Sequence, residues 1–200
     1  GDVYKRQAQY QVVDNQGTDG TDDLDNIETL RFVDQDVDIT PSGQNLNGTS
    51  NGDTLSGNSG ADILNGLGGD DTLKGLGGND TIEGGDGNDQ IEGGDGDDII
   101  NGGEGDDNIT GGEGDDTITG GAGNDNIDGG TTWADSGGGG DDLIRAGDGD
   151  DTVSAFGNST IYLDAGDDVF HYASGSAGTD PGLIIYGGEG NDTFTLRTVK

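Results

Sequence analysis

From Gly48 to Asp128 the chain repeats itself every nine residues, nine times in succession. In register the central units read Gly84-Gly85-Asp86-Gly87-Asn88-Asp89-Gln90-Ile91-Glu92, then Gly93 to Asn101, Gly102 to Thr110 and Gly111 to Thr119, each of the form G-G-x-G-x-D-x-U-x with U aliphatic. The sixth position is Asp in every unit (Asp53, Asp62, Asp71, Asp80, Asp89, Asp98, Asp107, Asp116, Asp125), and the eighth is Leu or Ile in every unit, from Leu55 to Ile127. Glycines recur where a tight turn needs positive φ or a close backbone approach, so the first six positions are read as a turn. The last three alternate polar, aliphatic, polar, the pattern of a very short strand with one side chain inward.

One inward side chain per nine ordered residues, many of them glycine, leaves apolar burial and ladder hydrogen bonds short of the conformational entropy they must offset. Stacking the turns also sets Asp carboxylates above one another at about one strand spacing, roughly 4.8 Å, where like charges repel. A bound cation removes both difficulties. Ca2+ fits best: it takes six to eight oxygens from carboxylates and backbone carbonyls in forgiving geometry. Mg2+ demands a stricter octahedron, and Zn2+ would call for His or Cys.

These residues resemble the glycine-rich nonapeptide of the RTX, or haemolysin-type, calcium-binding repeat family. The resemblance covers Gly48 to Asp128 closely and runs on, with breaks, to Thr195. It implies an all-β fold, a right-handed parallel β-roll (a β-solenoid), with several Ca2+ ions bound between stacked turns. It further implies that two nonads make one turn, so that repeat n stacks on repeat n+2. Asp71 would then share an ion with the turn carrying Asp89, and Asp80 with that carrying Asp98. The metal ligands expected on this basis are the nine Asp residues above together with Asp142, Asp151, Asp168 and Asp192.

Composition agrees. With 42 acidic against 7 basic residues the net charge is −35, only 26% of residues are hydrophobic, and 45 are glycine. Without calcium such a chain reads as a disordered polyanion. The acid excludes nucleic acid and anionic membrane surfaces as partners, and no transmembrane span is visible. With no cysteine, neither disulfides nor thiolate metal sites are available.

Residues 1–7 are expected to be a non-native leader, because Asp2 to Gln7 (DVYKRQ) resembles translated sequencing-adaptor DNA. No signal peptide is visible there, and the chain reads as a fragment. Residues 8–47 form a β-rich lead-in or cap. Tyr10 to Val13 reads as a strand and Asp14 to Asp23 as a polar turn, followed by an inward set of Leu24, Ile27, Leu30 and Phe32. This set is similar to a segment that often precedes RTX arrays. Val33, Val37 and Ile39 alternate with Asp34, Asp36 and Asp38 along a second strand. An EF-hand reading of those aspartates fails, because Ile39 stands where the loop needs Gly and Asn45 where it needs Glu.

Residues 48–128 are the continuous roll. Its first two units lack the second glycine, so their ions should bind more weakly. Residues 129–136 interrupt it and are expected to loop out, with Trp133, the only Trp, packed over the break. Residues 137–171 continue a partly degenerate roll in which Ser159 replaces Asp and that turn should bind poorly. Residues 172–200 comprise a loop from Ala173 to Gly182, a last repeat from Gly187 to Thr195, and a carboxy-terminal cap. Large apolar residues gather from Ile161 onward, as the open end of a solenoid requires.

Catalysis finds no support. His171 is the single histidine and lacks an H-E-x-x-H context, and no G-x-S-x-G elbow occurs. The reading is therefore a calcium-binding module, not an enzyme, expected to be monomeric and to fold on Ca2+ binding. The resemblance implies a larger exported bacterial protein, served by type I secretion machinery and located outside the cell or on its surface. The alternatives are the carboxy-terminal folding and secretion module of a secreted protease, lipase or epimerase, or a structural segment of a surface adhesin. Ice binding is discounted, because the third-position column lacks an outward row of Thr.

Overall fold

A computed structural model describes residues 29–31, 36–38, 42–130, 140–155, 157–174 and 182–198. The chain divides into two compact units, residues 1–42 and 43–200. In the first unit β1 (Thr29–Arg31) pairs antiparallel with β2 (Asp36–Asp38), Leu30 opposite Val37. The strand expected at Tyr10 to Val13, the turn after it, and the inward residues Leu24, Ile27 and Phe32 lie outside the described residues.

In the second unit every described element is a strand, and the strands alternate between two parallel sheets. One sheet holds the odd-numbered strands: β3 (Asn45–Asn47), β5 (Ile63–Gly68), β7 (Thr81–Asp86), β9 (Ile99–Glu104), β11 (Thr117–Ala122), β13 (Leu143–Asp148), β15 (Thr160–Ala165) and β17 (Ile184–Tyr186). The other holds β4 (Thr54–Ser56), β6 (Thr72–Gly77), β8 (Gln90–Asp95), β10 (Asn108–Glu113), β12 (Asn126–Asp128), β14 (Thr152–Ser154), β16 (Val169–Ser174) and β18 (Thr193–Thr198). Each strand pairs with the one two places on, Leu73 with Ile91 and Ile82 with Ile100. The expected stacking of repeat n on n+2 is therefore the register of the molecule, and the fold is a parallel β-roll.

The full strands run for six residues, not three. The first three positions of each nonad continue the strand begun by the last three of the nonad before, and Gly112 pairs with Gly94 in the ladder. Only the fourth to sixth positions turn. The glycines had suggested a longer turn, but glycine at the second position also bends a strand without leaving it: Gly85, Gly94, Gly103, Gly112 and Gly121 all have φ between 113° and 130°. Leu67, Leu76 and Asp164 occupy the same column at φ 76°, 80° and 64°, where a Cβ costs about 1–2 kcal/mol.

Between the sheets lies a single file of aliphatic side chains, Leu64, Leu73, Ile82, Ile91, Ile100, Ile109, Ile118, Ile127, Ile144, Val153 and Ile161, all buried. Toward the end the file widens. The first position, glycine in the regular units, becomes Ala146, Ala155 and Leu163, all buried beside Phe170. The large residues expected to close the end divide. Ile161, Leu163 and Phe170 are inside and Leu183, Ile185 and Tyr172 pack partly against them, whereas Tyr186, Ile184 and Phe194 are half-exposed.

The ladder passes the interruption intact. Ile118 pairs with Ile144 and Ile127 with Val153, and the offset between stacked Asp residues lengthens there from 18 to 26. It shortens to 17 in the next turn, which is one residue short of two nonads, and lengthens to 24 before the last repeat. Trp133 and most of the interruption, together with the greater part of the Ala173 to Gly182 segment, lie outside the described residues.

Candidate metal centre

The sixth-position aspartates form two columns, one along each edge of the roll where the chain crosses between sheets. Asp53, Asp71, Asp89, Asp107, Asp125, Asp151, Asp168 and Asp192 follow one another on the first edge, and Asp62, Asp80, Asp98, Asp116 and Asp142 on the second. All thirteen expected residues thus fall into these two columns. From Asp62 to Asp168 they are as buried as the aliphatic core, so each nonad encloses two side chains where the sequence pattern indicated one.

Each carboxylate spends one oxygen on the stack. The backbone N–H of Asp71 donates to Oδ1 of Asp89 at 2.8 Å, that of Asp89 to Oδ1 of Asp107 at 2.8 Å, and that of Asp80 to Oδ1 of Asp98 at 2.8 Å. The other oxygen is left over. Oδ2 of Asp71, Asp80, Asp89, Asp98, Asp107, Asp116, Asp125, Asp151 and Asp168 is buried without a hydrogen-bond partner, a costly state for a carboxylate in a protein interior. Desolvation is the main force on these groups, partly offset by the backbone N–H each accepts and reinforced by neighbouring aspartates. It pushes Asp98, Asp107, Asp142 and Asp151 up to about 7 and Asp116 to about 6. Asp80, Asp89, Asp125 and Asp168 are raised for the same reason.

The unpartnered oxygen has a fixed neighbour. Oδ2 of Asp89 and the carbonyl oxygen of Gly102 both lie where a Cβ on Gly84 would sit, and the same trio recurs as Gly93, Asp98 and Gly111 and as Gly102, Asp107 and Gly120. First-position glycine is thus required by close approach and not by its φ. An anionic oxygen without a hydrogen-bond donor, set close to a carbonyl oxygen, is a donor set that suits a hard divalent cation. Among the described residues no point gathers three or more His, Cys, Asp or Glu side chains as a metal cluster. A cation held here must therefore draw on backbone carbonyls.

The columns are not uniform. Oδ2 of Asp53 accepts from the backbone N–H and the hydroxyl of Thr49 at 2.6 and 2.8 Å, and Oδ2 of Asp62 accepts from the N–H of Asn58 at 2.5 Å. Both belong to the first two units, where polar Thr49 and Asn58 stand at the second position, and their spare oxygens are already taken; Leu67 and Leu76 at the same position leave Oδ2 of Asp71 and Asp80 unpartnered. At the other end of the second column the N–H of Asp142 donates to the hydroxyl of Ser159 at 3.0 Å, and that hydroxyl reaches Oδ2 of Asp142 at 3.4 Å. Serine thus fills the rung without adding a charge.

A second ladder escaped the sequence reading. The fifth position is Asp or Asn from Asp70 onward, and its side chain bonds forward where the sixth bonds backward. Oδ1 of Asp70 accepts from Asn88 N–H at 2.9 Å, Oδ1 of Asn88 from Asp106 at 3.1 Å, and Oδ1 of Asp106 from Asn124 at 2.8 Å. The restriction of that position to Asp and Asn was the signal available.

No curated protein compared with this chain matched it. The profile of the RTX calcium-binding nonapeptide repeat, built of four copies, matches residues 47–82, 74–109, 101–131, 136–155, 156–177 and 184–196, more than half of the chain. These segments carry every strand of the roll from β4 to β16 and both aspartate columns. The donor set suits the ion in that profile's description, and the chain belongs to the RTX calcium-binding nonapeptide repeat family.

Proposed function

We propose that this chain is a calcium-triggered folding module, disordered without Ca2+ and ordered by it after export, within a larger bacterial protein. The observation that carries the reading is the file of buried Oδ2 atoms lacking partners along both edges. Uncompensated, that many desolvated carboxylates oppose the compact state, whereas Ca2+ would supply the charge each lacks. The sixth-position residues, Asp53 to Asp192 as named above, would hold the ions with first-position carbonyls. The regular rungs Asp71 to Asp125 would bind most tightly, and those of Asp53, Asp62 and Asp142 more weakly. Because the donor set assembles only when turns stack, binding energy is folding energy. Low cytosolic calcium would keep the chain extended for type I secretion, and extracellular calcium would then fold it.

Circular dichroism during a Ca2+ titration, with Mg2+ as control, tests this. A cooperative, calcium-specific gain of β structure is expected. Full β structure in the presence of chelator at pH 8 would overturn the reading.

A further inference from the structure

We propose that the outward face of the odd-numbered sheet is a dimer interface, occupied by a second copy of this chain with its rungs in reverse order. The inference rests on the roll folding with calcium.

The face has two outward columns, the first and third residues of each strand. The first reads Asn45, Ile63, Thr81, Ile99, Thr117, Leu143, Thr160, Ile184, in direct register across eight strands. Large aliphatic and small polar residues alternate without exception. Ile63, Ile99, Leu143 and Ile184 are 48%, 57%, 37% and 48% exposed. The matching column of the other sheet, which includes Thr72, Gln90, Asn108, Asn126 and Thr152, has no such alternation. In a molecule of net charge −35 the two outward columns of the odd sheet carry only Glu83 and Arg145 as charges, on β7 and β13.

Two sheets packed face to face around a twofold axis parallel to their strands place each column over itself with its rungs reversed. Because eight is even, the first strand then meets the eighth and the third meets the sixth. Every large residue of the alternating column meets a small one: Ile63 opposite Thr160, Leu143 opposite Thr81, Ile99 opposite Thr117. The same operation sets Glu83 opposite Arg145, twice, so the only charges of the two outward columns neutralise each other. Glu83 already accepts from Asn101 at 2.7 Å and keeps lone pairs for the guanidinium. Arg145 lies over the ring of Tyr162, 4.3 Å from its centre, and Tyr162 stacks on Tyr186 at 4.7 Å. Under reversal these two rings face Asn65 and Asn47, again large over small. At the margin, on the fifth and sixth residues of the strands, Leu67 meets Asp164 and Asp86 meets Asp148, the two mismatches.

Six strands of six residues and two outer strands of three, at about 4.8 Å per strand and about 3.3 Å per residue, give roughly 1,200 Å² for the pair, the lower end of stable interfaces. The sixth-position acid lies along the turn edges, where bound Ca2+ would neutralise it, and away from the first and third columns.

Sedimentation equilibrium of the calcium-loaded full chain over a wide concentration range tests the proposal, with circular dichroism as a check on folding. The wild type is expected to dimerise. Glu83→Arg, which opposes two arginines, should weaken the dimer about tenfold or more, Arg145→Glu should do the same, and the double exchange should restore it, all with an unchanged calcium midpoint. If either single variant fails to fold, the other carries the comparison. A folded wild type that stays monomeric overturns the proposal and leaves the face to a different ligand. A dimer that ignores both charge reversals, or that the double exchange fails to restore, overturns it as well. A chain that does not fold with calcium fails the proposed function instead.

Discussion

A carboxylate with one oxygen bonded and one left over is the working unit of this molecule. Asp98 illustrates it: Oδ1 accepts from Asp80 N–H at 2.8 Å while Oδ2 is buried without a partner. Asp98→Asn keeps the first bond and removes the charge, so the calcium midpoint for folding should rise about tenfold. Asp53→Asn should move it much less, because Thr49 already occupies that Oδ2. Calcium titrations followed by circular dichroism would separate the two. At the second position Leu76 sits at φ 80° with its side chain half-exposed, where glycine is the relaxed residue. Leu76→Gly should therefore stabilise the calcium-loaded roll by about 1 kcal/mol, read as a higher melting temperature. The aspartate itself was legible in the sequence, since it never varies through nine units. Its deep burial was not, because a nine-residue period does not say which side of the turn a side chain takes.

Single rungs of the roll differ from one another, and the differences follow from which residues fill the sixth and first positions. Ser159 closes the second column with a hydroxyl in place of a carboxylate. Ser159→Asp should supply the missing carboxylate and raise the calcium bound per chain by about one ion, measured by equilibrium dialysis. The missing carboxylate of this rung could be read from the sequence as one absent Asp. The six-residue strands could not, because glycine signals a turn and a bent strand alike, and only pairing with the neighbouring turn separates them. The widening of the core through Ala146, Ala155 and Leu163 was likewise concealed: each looks like a lapse in the repeat until its side chain is found buried beside Phe170.

At the scale of the whole molecule the net charge of −35 and the raised acidities act together. In the folded, calcium-free chain Asp98, Asp107, Asp142 and Asp151 protonate near 7 and Asp116 near 6, against 3.8 for an unperturbed Asp. A carboxyl whose folded pKa exceeds its unfolded one takes up a proton on folding, so its compact form gains stability as pH falls from about 7 toward 4 and loses it as pH rises. Calcium must displace those protons. The calcium concentration needed for folding should therefore be higher at pH 5.5 than at pH 8, while the calcium-free chain should show more β structure at the lower pH. Equal calcium midpoints at the two pH values would mean that the columns stay ionised in the fold.

The sequence by itself determined the repeat, and the family resemblance that the repeat carries implied the parallel roll, the stacking of each unit on the second one after it, and the aspartates as the expected metal ligands. That resemblance rests on a strict nine-residue period with one invariant acid and one invariant aliphatic position, in a composition too poor in apolar residues to fold unaided. Tertiary structure decided what depends on neighbours across the stack. It selected which carboxylate oxygen is spent and which is spare, and it made the first glycine a matter of space and the second a matter of φ. It also brought Glu83, Arg145 and the alternating Ile and Thr residues onto one face, although neighbouring rungs lie 17 or more residues apart along the chain, because adjacency in a solenoid is set by rung and not by sequence.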